Sequence, residues 1–265
     1  MKTLAFVSLI FASIYLFSQE NVNENNNVQK DFFIGAEFGG GSVTGTLMDS
    51  WPIRQDVSSN NVYYSETESD NVVATESNNV FGRINVGYTF NRYIEVISGI
   101  KFSQIYADIR PKREEGFFYI RYKNDGTGSE FARLDGIVQD QYFLSIPLEV
   151  KINALKYEGL GCYVKLGANI GLNVATKNDF EFAQESMNAY KDEIMGVFDM
   201  KTNSIISTAN VSIGMSYWFN NDARINFDFN VVNDFITKKN SSILDLNRNN
   251  EFSVSCQIPF NVIFK

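Results

Sequence analysis

The stretch Phe252 to Phe264, FSVSCQIPFNVIF, constrains this chain more than any other. Every even position is apolar: Phe252, Val254, Cys256, Ile258, Phe260, Val262 and Phe264. The odd positions are small or polar, Ser253, Ser255, Gln257, Pro259 and Asn261, with Ile263 the exception. Successive side chains on a strand point to opposite faces, so this period of two gives one apolar and one polar face. A tilted strand crosses a bilayer in about 9–11 residues, and this stretch is long enough.

Seven earlier stretches carry the same pattern, which predicts eight strands in all. The first runs from Phe32 to about Ser42, with Ile34, Ala36 and Phe38 opposite Gly35, Glu37 and Gly39. The second, Val80 to Phe90, and the third, Tyr93 to Tyr106, are joined by a tight Asn91-Arg92 turn. The fourth, Gln141 to Ile152, sets Tyr142, Leu144, Ile146, Leu148 and Val150 against Ser145, Pro147, Glu149 and Lys151. The fifth is Gly159 to Ala175, the sixth Asn203 to Phe219 and the seventh Ala223 to Phe235.

Between them, long polar segments (Asp49 to Asn79, Ala107 to Asp140, Thr176 to Thr202) alternate with short turns, and a medium loop runs from Ile236 to Asn250. Membrane barrels of the bacterial outer membrane have this asymmetry, with short periplasmic turns and longer extracellular loops. The expected fold is therefore all-β: an eight-stranded antiparallel transmembrane β-barrel with long extracellular loops and short periplasmic turns. Within the third long segment, Ala183, Met187, Tyr190 and Ile194 lie at helical spacing and predict a helical turn or two.

The chain opens with Lys2, an apolar run from Leu4 to Phe17, and Ser18-Gln19, the pattern of a secretory signal peptide over residues 1–19. Residues 20–30 are polar and Asn-rich and read as a disordered lead-in, leaving 31–265 as one barrel domain. No later segment has the long apolar run of a transmembrane helix, so membrane insertion requires a barrel. The formal charge of −8 disfavours nucleic acid as a partner. Cys162 and Cys256 fall on the apolar faces of non-adjacent strands and read as small apolar residues, not a disulfide. The absence of histidine removes Ser-His-Asp and Cys-His catalysis and makes a zinc site improbable. Nothing in the sequence points to an enzyme or to a cofactor.

Two considerations orient the faces. The apolar set holds about six large residues per strand, more than the inside of an eight-stranded barrel can hold. The polar set is rich in glycine, including Gly35, Gly39, Gly87, Gly99, Gly167, Gly171 and Gly214, and suits a tight lumen. Apolar therefore faces lipid and polar faces inward. The inward set contains Glu37, Arg83, Glu95, Lys101, Glu149, Lys151, Lys165, Arg224 and Asp228. Buried charges are costly unless paired, so mixed signs in a narrow lumen predict a salt-bridged plug. The competing reading is a polar, water-filled conduit. Glu149 and Asp228 as a catalytic pair is a weaker third reading, because nothing in the sequence brings them to a working spacing.

Tyr88, Phe90, Tyr93, Tyr217, Phe219, Phe260 and Phe264 gather near the short-turn rim and predict an interfacial aromatic girdle. The loop acids Glu66, Glu68 and Asp70 lack the EF-hand pattern and read as a solvated loop. The run FFYIRYK, Phe117 to Lys123, hints at recognition, but reads more simply as a hairpin extending the third and fourth strands above the membrane.

YFLSIPLEVKI (Tyr142 to Ile152), YVKLGANIGL (Tyr163 to Leu172) and the closing aromatic strand together resemble the outer-membrane β-barrel family widespread in Bacteroidota, often called PorT-like. In that family the first of these strands typically reads LEIPLLLKY. The resemblance implies the fold and an outer-membrane location and supplies no catalytic residues. It also implies that Phe264 acts as the terminal aromatic read by the barrel-insertion machinery. The expected function is a non-enzymatic closed small barrel that displays surface loops for binding or for assembly of an envelope or secretion complex. Its partners would be outer-membrane lipid, the insertion machinery and an envelope protein. The alternative is a narrow porin-like channel for ions or small solutes.

Overall fold

The computed structural model describes residues 31–48, 51–55, 72–112, 116–124, 129–220 and 222–263. The signal peptide (1–19), the lead-in (20–30), the acids Glu66, Glu68 and Asp70, and Phe264 lie outside the described residues. The strands are β1 (Asp31–Leu47), β2 (Ile53–Arg54), β3 (Val73–Thr89), β4 (Ile94–Pro111), β5 (Phe118–Asn124), β6 (Ser129–Tyr157) and β7 (Leu160–Phe182), followed by β8 (Ile205–Trp218), β9 (Arg224–Phe235) and β10 (Leu244–Pro259). Between β7 and β8 lie a 3₁₀ turn, Glu185–Tyr190, and the short helix α1, Lys191–Gly196, as the helical spacing predicts.

All strands of the ring pair antiparallel with their neighbours in the order β1-β3-β4-β6-β7-β8-β9-β10. The register of β1 with β10 then closes it, Ala36 opposite Cys256 and Phe38 opposite Val254. Closure matters physically, because a membrane core offers no water to satisfy an open strand edge. The two strands outside the ring, β5 and β2, stack edge to edge onto the upper part of β6.

The short-turn end is built from tight local geometry. Asn91 accepts the amides of Tyr93 and Ile94 at 2.8 and 2.9 Å. Glu158 and Gly159 take φ of 46° and 85°, the doubly positive pair that a two-residue primed hairpin needs. The third turn is closed by the Phe219 amide on the Ala223 carbonyl at 2.8 Å.

Polarity sorts by face and by height. Along β6, Leu144, Ile146, Leu148 and Val150 are exposed on the outside, while Ser145, Glu149 and Lys151 are buried inside. Tyr142 to Ile152 makes about 34 Å of strand, or about 25 Å of height at a tilt near 45°, the thickness of an outer-membrane apolar band. Phe38, Val80, Ile84, Ile100, Phe102, Ile170, Leu172, Phe227, Phe229 and Phe252 continue the band around the ring. Exposed apolar surface this extensive cannot face water, so the barrel spans a membrane. At its lower rim Phe32, Tyr88 and Phe90 meet ring to ring at 4.7 and 4.9 Å, Phe260 lies 6.3 Å from Phe32, and Tyr217 meets Phe219 at 5.2 Å. Cys162 and Cys256 are exposed free thiols on the lipid side.

Above the band the pattern inverts. On β4 the inward positions change from Lys101 and Ser103 to Ile105, Ala107 and Ile109, all buried. On the outside, Tyr106, Asp108 and Arg110 form a hydrogen-bonded ladder, with Tyr106 and Arg110 each donating to Asp108 at 3.1 Å. The strands thus run past the membrane and finish as a water-facing barrel with an apolar interior.

The expected strand bounds need correction at several places: β3 begins at Val73, β7 runs on to Phe182 and β10 begins at Leu244, all inside segments expected to connect strands. The segment Ala107 to Asp140 is mostly strand, not loop, because its charges sit on the solvent side of a continuing sheet. The final strand ends at Pro259, which brings no N–H to the ladder, and Phe260–Ile263 turns into a short helix, α2. The strand therefore stops before Phe264.

Candidate functional site

The lumen at membrane height is packed with buried charges, most of them in ion pairs. Arg83 on β3 donates two bonds to Glu149 on β6, at 2.9 and 2.7 Å, and lies 3.3 Å from Glu37 on β1. Its Nε also bonds Asn85. Glu37 accepts from Asn85 at 3.1 Å and from Ser253 at 2.8 Å. Lys165 on β7 bridges Asp228 at 3.1 Å and Glu149 at 3.7 Å. The strands set this geometry: in register, Glu37 stands opposite Arg83, and Arg83 opposite Lys101.

Lower down, Arg224 on β9 grips Glu95 on β4 with a two-pronged contact at 2.5 and 2.6 Å. The guanidinium also lies over the rings of Phe33 and Trp218, and its Nε donates to Gln257 at 2.5 Å. Lys151 donates to Asn226 at 2.9 Å and Ser216 at 3.2 Å, and sits 3.8 Å from the centroid of the Tyr163 ring.

All nine inward charges named from the sequence (Glu37, Arg83, Glu95, Lys101, Glu149, Lys151, Lys165, Arg224 and Asp228) are buried in this lumen. Sequence reasoning missed a tenth, Glu251. It accepts from Lys101 at 3.0 Å and from the amides of Asn79, Asn249, Asn230 and Asn233 at 2.5–3.1 Å. With Glu251 the lumen holds five cations and five carboxylates among the described residues. That balance is what a low-dielectric interior requires.

Glu149 and Asp228 are brought together only through Lys165, which neutralises both, so the arrangement gives no free general base. The space left among these groups is a cavity of about 20 Å³, room for roughly one water. The Oδ1 atoms of Asn169 and Asn210, which lack a protein partner, belong to residues lining it.

A second closure lies above the first. The chain between β9 and β10 dips into the barrel mouth and buries Asn240, Ser241, Ser242 and Ile243. Gln139 receives the Ser241 hydroxyl at 2.6 Å and donates to Ser242, and Gln141 donates to the Asn240 carbonyl at 2.8 Å. Trp51 donates to the Ser242 carbonyl at 3.2 Å and stacks on Phe198, with Phe180 edge-on. Ile194 of α1, Phe118, Ile120, Leu134, Phe143 and Leu244 complete an apolar cap.

No family model matches the chain, and no curated protein does. Among solved structures it is similar to the outer membrane protein OprG from Pseudomonas aeruginosa, at 13% identity and a TM-score of 0.41, covering 88% of this chain and 94% of that one. It is also similar to the Escherichia coli outer membrane protein W, at 13% identity and a TM-score of 0.33 (89% and 100% covered). A third is the translocator domain of the autotransporter NalP from Neisseria meningitidis, at 9% identity and 0.28 (97% and 95%). The fold assignment rests on the closed register and the apolar band.

Proposed function

We propose that this protein is a non-enzymatic anchor of the outer membrane, a closed barrel that displays its long loops for binding or for assembly of an envelope or secretion complex. The observation that carries the reading is the double closure. The charge plug fills the membrane segment and the apolar cap fills the mouth, with no side chain shared between the core of one and the ion pairs of the other. A conduit would have to open both. The loop asymmetry and the N-terminal signal-peptide pattern support an outer-membrane address, with the long loops extracellular and the short turns periplasmic. Outer-membrane lipid, the insertion machinery and an envelope protein are the proposed partners. The strand YFLSIPLEVKI supports placing the chain with the PorT-like barrels.

Liposome swelling tests this. Proteoliposomes placed in iso-osmotic glucose should swell no faster than protein-free vesicles. Swelling that rises with protein content and falls with solute size would overturn the anchor reading in favour of a small-solute channel.

A further inference from the structure

The stretch FFYIRYK forms β5 beside the extension of the fourth expected strand, β6, and does not extend the third, β4; its outer face carries an arrangement that the closed-barrel reading does not use. β5 pairs with the upper part of β6, Phe118 opposite Leu134 and Tyr119 opposite Arg133. β2 pairs with β5 in turn, Ile53 opposite Ile120 and Arg54 opposite Tyr119. Ile53, Phe118, Ile120, Ala132 and Leu134 are fully buried in the cap. Alternation then turns Arg54, Phe117, Tyr119, Arg121, Phe131 and Arg133 to the opposite, solvent side.

These six form a chequerboard. Arg54, Tyr119 and Arg133 make one row across three strands, which sets the two arginine backbones about 10 Å apart at the usual strand spacing. Arg121 stands opposite Phe131 in the next row. The Arg133 guanidinium lies 3.3 Å from the Phe117 ring centroid, the Arg54 guanidinium 4.9 Å from that of Phe131, and Phe117 meets Tyr119 edge-on at 5.4 Å. Stacking holds each guanidinium plane against a ring, with the Nε–H of both Arg54 and Arg133 buried beside it.

The ion pairs elsewhere make this face unusual. Arg83, Arg110, Arg224 and Arg248 all hold carboxylates. Among the described residues, Arg54, Arg121 and Arg133 hold none, and the Nε atoms of Arg54 and Arg133 have no hydrogen-bond partner. Asp135, the nearest acid along the same face of β6, makes no ion pair with them. In a chain with a formal charge of −8, three arginines on one aromatic-bearing sheet hold no carboxylate among the described residues.

We infer that this face is a docking surface for an acidic, extended segment of a partner protein. Arginines pre-organised on rings suit carboxylates, which they grip two N–H bonds at a time. Arg, Tyr and Phe are also the residues that dominate protein–protein recognition. Height argues against a lipid occupant. Arg133 lies nine residues beyond Tyr142 at the top of the band, roughly 20 Å above it along a tilted strand, whereas headgroups extend only about 5–8 Å. The inference rests on the display role proposed above and names the chemistry of what is displayed to.

The test uses the full chain in detergent micelles and poly-L-glutamate as the probe, followed by fluorescence anisotropy. Wild-type protein should bind it in a salt-sensitive manner, and Arg54→Gln/Arg133→Gln should weaken binding at least tenfold with the folded, gel-shifted form retained. Lys238→Gln/Lys239→Gln, an exposed basic pair on the β9–β10 connection, should leave binding unchanged. The inference fails if wild type does not bind, if both double variants weaken binding alike, or if the polysaccharide alginate binds better than poly-glutamate. It fails also if binding appears only after Glu66, Glu68 and Asp70 are neutralised, since the chain's own acids would then be the occupant. None of these outcomes depends on whether the lumen conducts, so failure here leaves the closed-anchor reading to its own test.

Discussion

The Glu95–Arg224 contact shares no group with the ion pairs of Arg83, Glu149 and Lys165 and is a clean place to test what the charges do. Glu95 is fully buried and receives Arg224 through two bonds of 2.5 and 2.6 Å, with Asn153 adding a third at 3.0 Å. Removing one member of a buried pair costs about 3–5 kcal/mol, because the other is left uncompensated. The two single substitutions should differ. Arg224→Met leaves Glu95 with the Asn153 amide and with Lys151, a buried lysine that has no carboxylate within ion-pair distance among the described residues, so the loss should be near 3 kcal/mol. Glu95→Gln leaves Arg224 and Lys151 as two buried cations without a counter-ion, and should approach 5 kcal/mol. The double variant removes the Arg224 charge, leaves Lys151 as the one cation without a counter-ion, and should cost about 3 kcal/mol, a coupling of about 5 kcal/mol. Urea unfolding in lipid vesicles reads these values. The Trp218 ring, 4.6 Å from the Arg224 guanidinium, is a built-in reporter. Additive losses, with coupling below about 1 kcal/mol, would show that the lumen is hydrated enough to screen its charges and would refute the plug.

Two further outcomes follow from the same structure. Trp51→Ala removes a buried indole from the cap and should cost locally about 3–5 kcal/mol, seen as at least a hundredfold faster amide exchange across residues 240–246 with the β4–β6 ladder unchanged. Unaltered exchange there would mean that Trp51 does not hold the cap. In vesicles, Cys162 and Cys256 should react with a membrane-soluble maleimide and resist a charged, impermeant one. The reverse pattern would put the two strands' faces the wrong way round.

Much of the barrel is legible in the sequence because the membrane demands alternation at fixed length. Ile146 and Glu149 are assigned to opposite faces by parity alone. The reading breaks where that demand ends. Above the band, Asp108, Arg110 and Asp140 moved outward and Ile105, Ile109 and Ile137 inward, so the rule for the membrane zone labelled a strand as charged loop. Glu251 was lost for a related reason: it lies one alternation step before Phe252, at the inward parity of Ser253 and Ser255, but a polar neighbourhood from Asn247 to Asn250 hid it. A bulge in the β10 ladder between Arg248 and Phe252 explains why parity fails across that stretch. The burial of Asn240, Ser241 and Ser242 left no local signal, since their partners Gln139 and Gln141 are a hundred residues away in the chain. Folding of a polar loop into a barrel mouth is a tertiary event that propensity does not record.

The central claim is that the barrel is closed by two independent seals, and ion conductance in a planar bilayer tests it most directly. Wild-type protein inserted at positive and negative potentials in molar potassium chloride should give no steady current above the bare membrane. Stable, voltage-tolerant conductance steps from the unmodified protein would contradict it.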